Sequence, residues 1–203
     1  MIRPTAAPQV PARPFEAIVI GGSAGSIEAL SVLLPALGPA QRAAVFVVLH
    51  LPRDRRSLLC EIFQPRCALP LREAQDKEPV EAGTVYFAPP DYHLLIDAGP
   101  SLALSVDDPV HFSRPSIDVL FESAADAYAG RLLAILLSGA NHDGAQGIAA
   151  VQAAGGTTIV QDPESAPMSS MPEAALQLCT PAHVLSPQRI ADWLAALPPG
   201  GRA

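Results

Sequence analysis

Short, wholly apolar runs separated by helix-length stretches constrain this chain more than any other feature. AIVIGG precedes a helical stretch over residues 26–37, AVFVVLH one over about 54–63, and LLAILLSG one over 143–154, after which comes TTIVQD. None of these runs alternates apolar with polar residues, as a strand facing water on one side would. Strands covered by helices on both faces have no polar side to show. The rhythm therefore predicts an α/β fold built on a doubly wound, mostly parallel, Rossmann-like sheet. Over about 69–106 the rhythm breaks. VYFAPP, HLLIDAG and SLALSV are short and separated by Pro, Asp and Gly, which predicts antiparallel hairpins added to the sheet. Residues 117–128 and 188–197 have helical spacing, with Trp193 expected in the core.

A chain of 203 residues with 49% hydrophobic and 16% charged side chains can close a full core without staples. One domain is expected over 15–197, between a flexible Pro-rich tail of residues 1–14 and a short tail of 198–203. The first fourteen residues, MIRPTAAPQVPARP, carry four prolines and no apolar run, so they hold no signal-peptide core. The longest apolar stretches, 43–49 and 132–137, are under half of the roughly 20 residues that a membrane helix requires. No membrane insertion is expected. A formal charge of −7 with 13 basic residues argues against a nucleic-acid partner, which needs clustered cations. Arg53, Arg55 and Arg56 are the local exception and read as a solvated face. Cys60, Cys67 and Cys179 are odd in number and lack CxxC spacing, so a disulfide framework or a zinc site is not expected and a reducing, cytoplasmic compartment is the simpler reading.

Doubly wound sheets bind ligands beyond the carboxyl ends of their strands. At those ends stand Gly21, Gly22, Ser23, Ala24 and Gly25 after the first run, His50 after the second, and SGANHDG, carrying Asp143, after LLAILL. A hydroxyl, an imidazole and a carboxylate at neighbouring strand ends are the inventory of a nucleophile, its base and the group that orients the base. Each also has a plainer reading: Ser23 and Asp143 as N-caps of the helices that follow them, and His50 as a hydrogen-bonded structural residue. GGSAGS lacks the GxGxxG pattern of a dinucleotide site, and the end of the second strand offers His50 where an acid would bind ribose; no GxxxxGK[ST] loop occurs. GGSAG satisfies GxSxG, yet α/β-hydrolases run Ser, acid, His, whereas here the order is Ser23, His50, Asp143. His93, His111, His142 and His183 show no metal-binding spacing, so neither a metal nor another cofactor is expected.

The ordered blocks IVIGGSAGSIEAL, VVLHLP, VYFAPPDYHLL, RPSIDVLFESAA, LLSGANHDGAQG and IVQDPESAPMSSMPEAAL resemble the catalytic domain of the chemotaxis protein-glutamate methylesterases, from about residue 15 to 197. The resemblance implies a serine esterase that hydrolyses γ-methyl esters of glutamate on methyl-accepting chemotaxis receptors, and in many members also deamidates receptor glutamines. It places the nucleophile on Ser23, the base on His50 and the aspartate on Asp143. Backbone N–H groups of Ala24 and Ala140 form the implied oxyanion hole, and Arg114 lies near the implied substrate groove. Two departures stand out. Ser23, Ala24, Gly25, Ser26 replace Ser-Thr-Gly-Gly of the best-known members, and Gly139, Ala140, Asn141 replace Gly-Met-Gly. Members usually carry an N-terminal receiver domain, which residues 1–14 are too few to form, so a separate receiver protein is a further candidate partner and constitutive activity is expected. A small-molecule serine esterase and a non-catalytic binding module of a signalling complex are the competing readings.

Overall fold

In a computed structural model, which describes residues 14–52, 55–97, 99 and 101–198, seven parallel strands form one sheet in the order β3-β4-β2-β1-β7-β8-β9. These strands are β1 (Ala17–Gly22), β2 (Ala44–Leu49), β3 (Leu71–Glu73), β4 (Val85–Phe87), β7 (Leu132–Leu136), β8 (Thr157–Gln161) and β9 (His183–Leu185). A separate antiparallel pair, β5 (His93–Asp97) and β6 (Ser101–Ser105), makes a second sheet. The helices are α1 (Ser26–Ala36), α2 (Leu59–Phe63), α3 (Ile117–Tyr128), α4 (Ala145–Ala153), α5 (Ser170–Leu178) and α6 (Pro187–Ala195).

The absence of alternation in the strands has the predicted cause. Ile18, Ile20, Val45, Val47, Leu133 and Ile135 face one layer, where they pack with Leu30, Leu33 and Leu34 of α1 and Ile190 and Trp193 of α6. Their neighbours Ala17, Val19, Phe46, Val48, Ala134 and Leu136 face the other, against Leu120 and Phe121 of α3, Ile148 of α4 and Met171 of α5. Trp193 is indeed core, 2% exposed and set against the rings of Phe15 and His183.

The β1, β2, β7 and β8 strands, α1, α3 and α6 lie where the sequence puts them. VYFAPP does not form a hairpin: Val85–Phe87 runs parallel between β3 and β2, buried throughout. A three-residue strand is too short for its lack of alternation to be read. HLLID and SLALS do pair as a hairpin, but as their own sheet packed on α3, with the Ile96 N–H donating to Ser123 Oγ at 3.1 Å. The helix expected over 54–63 shrinks to Leu59–Phe63 and tightens into a 3-10 turn carrying Pro65, which has no N–H to continue it. Both expected tails and Arg53 fall outside the described residues, except for residues 14 and 198. Arg56 pairs with Glu61 at 2.6 Å on the exposed surface. The cysteines are free thiols, and no described helix is long and apolar enough to cross a membrane.

Candidate active site

The order of the strands reverses at β1, because the chain winds outward through β2 on one side and returns through β7 on the other. Such a switch point opens a crevice at the carboxyl ends of the strands. Ser23 follows β1 directly and His50 follows β2. Their backbones stand side by side, since Gly22 pairs with Leu49 and the His50 N–H donates to Gly22 O at 3.2 Å, while among the described residues no hydrogen bond joins the Ser23 hydroxyl to His50. Asp143 enters from the loop after β7 and meets His50 through Oδ2, 2.8 Å from Nε2.

The turn that carries Ser23 is held by a knot of serines. The Ser23 N–H points at both Ser138 O (2.9 Å) and Ser26 Oγ (3.0 Å), and the Ser26 hydroxyl donates to Ser138 O at 2.7 Å. The Ser138 hydroxyl lies 2.7 Å from Ala24 O, and its Oγ accepts from the Met168 N–H at 3.0 Å. This fastens the β1–α1 turn to the end of β7. A Cβ on Gly22 would overlap Ser26 Oγ and come 3.2 Å from Leu137 Cβ, so only glycine lets the knot close. Gly22→Ala is expected to cost about 1–3 kcal/mol by overpacking and to displace Ser23, so turnover falls as well. A thermal midpoint within error of the wild type would show that Ser26 can move aside freely.

Asp143 has no exposed surface and uses both oxygens. Oδ1 accepts from Ser116 Oγ (2.8 Å) and the Asp118 N–H (3.0 Å), and Oδ2 from His50 and the Ile117 N–H (2.7 Å). The plainer reading of Asp143 as a helix cap is thus half right. It caps a helix, but the helix is α3, whose first N–H groups it satisfies while Ser116 Oγ takes Val119 N–H. The helix that follows Asp143 is capped in turn by Asp118, which accepts from the Gly147 N–H at 2.7 Å. Gly144, at φ 95, turns the chain between these two roles.

Burial alone would raise the Asp143 pKa. The bonds from His50 and from the Asp118 and Ile117 N–H groups outweigh that and hold the carboxyl below its ordinary range. Asp118 goes the other way: burial pushes it up to about 6, helped by the Asp143 charge and opposed by the Gly147 N–H and His111, whose Nε2 is 3.5 Å away. A carboxyl whose folded pKa exceeds its unfolded value binds more protons folded. It therefore contributes stability fully below the unfolded value of 3.8, and that contribution is lost as the pH rises through about 6. Asp118→Asn, which keeps an oxygen for Gly147, is expected to be more stable relative to wild type at pH 8 than at pH 4. Thermal midpoints of the two proteins across that range check it, and a constant difference would assign the titration elsewhere.

The N–H groups of Ala24 and Ala140 donate to no described residue, and both residues are exposed at this edge. The neighbouring N–H groups of Ser23 and Gly139 are already taken, the latter by Met168 O at 3.1 Å. Arg114 does not reach the crevice by any contact seen. Its Nε and Nη2 donate to Asp91 Oδ1 and its Nη1 to Val106 O and Asp107 O, which fastens the loop between β6 and α3. Of the remaining histidines, His93 is structural, accepting the Ser116 N–H at Nδ1 (3.1 Å) and donating to Asp108 O (3.2 Å).

Residue-by-residue reading missed Ser113, whose Oγ lies 3.3 Å from His50 Nδ1 and 3.3 Å from Asn141 Nδ2. It also missed the carboxylate-binding roles of Ser116 and the Asp118 N–H. Only the block RPSID signalled this region, and nothing in its spacing ties it to His50.

Residues 18–194 match the family model described as CheB methylesterase. A protein of Leptospira interrogans serovar copenhageni, whose name joins protein-glutamate methylesterase to protein-glutamine glutaminase, is 41% identical over 178 residues, covering 88% of this chain and 92% of its own. Protein-glutamate methylesterase/protein-glutamine glutaminase 2 of Caulobacter vibrioides is 36% identical, covering 96% of this chain and 58% of its own, so the chain spans little more than half of that relative. The crystal structure of the Thermotoga maritima CheB methylesterase catalytic domain superposes with a TM-score of 0.85 at 31% identity, covering 89% of this chain and 97% of that one.

Proposed function

This chain belongs to the CheB methylesterase family, and from that premise we propose that it hydrolyses glutamate γ-methyl esters on methyl-accepting chemotaxis receptors in the cytoplasm, with Ser23 as nucleophile, His50 as base and Asp143 as the group that orients the base. The observation that carries this reading is the 2.8 Å bond between His50 and a buried, ionised Asp143 at the switch point, beside the strand end that holds Ser23.

An ionised carboxylate accepts, so the proton of a neutral His50 sits on Nε2 and the bare nitrogen is Nδ1. Nδ1 takes the Ser23 proton as Oγ attacks the ester carbonyl. The developing oxyanion is met by the free N–H groups of Ala24 and Ala140; removal of one such donor typically costs about 3–4 kcal/mol of transition-state stabilisation. Methanol leaves with the proton from Nδ1, and an acyl-enzyme remains. Water, giving its proton to the same nitrogen, attacks the acyl carbon; the bond from that carbon to Ser23 Oγ then breaks as the proton passes from Nδ1 to Oγ, which frees the glutamate and restores Ser23. Throughout, Asp143 fixes the tautomer and stabilises the imidazolium. A glutamine side chain forms the same acyl-enzyme with ammonia as leaving group, so deamidation needs no further residue. Arg114, next to Ser113 in the chain, holds the loop that borders the groove.

Methanol release from methylated receptor, measured beside hydrolysis of small soluble esters and labelling of Ser23 by a reactive-serine probe, tests the proposal. Receptor demethylation well above the soluble-ester rate is the expected result. Efficient turnover of soluble esters without receptor demethylation would make this a small-molecule esterase, and an unlabelled Ser23 would make it a binding module.

A further inference from the structure

Ser113 stands on the one nitrogen that the proposed mechanism needs free. With Nε2–H committed to Asp143, neutral His50 presents Nδ1 as a bare acceptor, and the hydroxyl within reach of it is that of Ser113, at 3.3 Å. The same hydroxyl has a second acceptor, His111 O, at 3.4 Å. One proton therefore faces two acceptors at nearly equal and rather long distances, which makes both bonds weak and exchangeable.

The same oxygen also accepts. Asn141 Nδ2 donates to Ser113 Oγ and to His111 O, at 3.3 Å in each case, so one lone pair is occupied whichever way the O–H turns. The backbone is pinned as well. Val110 and Ser113 exchange N–H···O bonds of 3.1 and 2.8 Å across a tight turn in which His111 and Phe112 have φ of 48 and 63. Non-glycine residues in that region persist only where their surroundings impose it. A turn closed by two backbone hydrogen bonds thus presents the Ser113 hydroxyl to His50.

We propose that Ser113 is a positioning residue that holds Nδ1 of His50 in the free enzyme and hands it to Ser23 when substrate arrives, its hydroxyl turning to His111 O. This rests on the methylesterase reading above. Pinned at both nitrogens, the imidazole keeps its plane and its tautomer before the ester binds, and the exchange of one weak bond releases the base. The Ser113 hydroxyl can donate to Nδ1 only while that nitrogen is bare, because a protonated Nδ1 has no lone pair to accept with. Among the described residues, the charged and titratable groups around this contact are Asp143 on Nε2, the His111–Asp118 pair, the Arg114–Asp91 pair next to Ser113 in the chain, and His142 next to Asp143 in the chain.

The test compares kcat and kcat/KM against pH for wild type, Ser113→Ala and Ser113→Thr on methylated receptor. The kcat/KM profile reports the free enzyme and the kcat profile the bound complex. Alanine should move the acid limb of kcat/KM up by about half a unit to one unit, the worth of one hydrogen bond to the neutral form. It should leave the acid limb of kcat where it was. Threonine, which restores the hydroxyl, should restore the wild-type limb. An NMR titration of the His50 ring in the free proteins should show the same shift and needs no turnover. Neither limb moving, both moving equally, threonine behaving as alanine, or an unchanged NMR titration would each overturn the proposal. Its failure is separable from failure of the methylesterase reading, which shows instead as a wild type without turnover or a Ser23→Ala variant with full turnover. Loss of all activity in Ser113→Ala with activity kept in Ser23→Ala would make Ser113 the nucleophile and overturn both.

Discussion

Replacing Ser23 by alanine is expected to abolish methanol release and leave the fold intact. The two effects separate because the residue does its structural work through the backbone. Its N–H is held by Ser138 O and Ser26 Oγ, and alanine keeps that N–H. No described hydrogen bond uses the Ser23 hydroxyl, so its loss leaves no partner stranded, and the change in stability should stay within about 0.5 kcal/mol, as for substitutions that break no buried contact. The chemistry has no substitute. Removing a serine nucleophile of this kind costs on the order of 10⁶ in kcat. Circular dichroism and methanol release on the same preparation check both halves. Retention of more than about one-tenth of the wild-type rate would take the nucleophile away from Ser23.

That contrast also explains which parts of the molecule were legible in the sequence. Strands β1, β2, β7 and β8 are each covered on both faces, so their composition alone carries the signal, and their ends name Ser23, His50 and Asp143 without any distance being known. The three-residue strands β3, β4 and β9 are too short to carry a period, and they take their place from the neighbours they pair with. Within the site, what escaped is what depends on contact between distant segments. Ser138 closes on Ala24 across 114 residues, Ser113 reaches His50 across 63, and Asp118 and Asp143 each cap the helix that the other precedes or begins. Local rules find a cap residue correctly but assign it to the nearest helix, because sequence distance is all they can use.

The exchanged caps change what is expected of Asp143→Asn. An aspartate capping its own helix could be replaced by asparagine at little cost, since the two are comparable N-caps. Asp143, however, accepts two bonds on each oxygen: from Ser116 and the Asp118 N–H on one, from His50 and the Ile117 N–H on the other. An amide has a single oxygen. Whichever way it is turned, its NH₂ faces one backbone N–H of the first turn of α3, in a position with no access to water. A buried donor left unsatisfied, together with loss of the charge from the remaining bonds, is expected to cost roughly 2–4 kcal/mol. The wild-type carboxyl, held below its ordinary pKa, contributes stability above its unfolded value of 3.8 and loses it as the pH falls through the folded value. The penalty of the variant should therefore be largest at neutral pH and shrink in acid. Catalysis should fall by up to about 10⁴-fold, because an amide neither stabilises the imidazolium nor guarantees the Nε2–H tautomer that leaves Nδ1 bare. Ser116→Ala serves as the control: it removes a donor to Oδ1 and the cap on Val119, so it should lose stability while keeping most of kcat. Thermal midpoints against pH and kcat on the folded fraction distinguish the two. An Asp143→Asn protein of wild-type stability and kcat would remove this carboxylate from both of its roles.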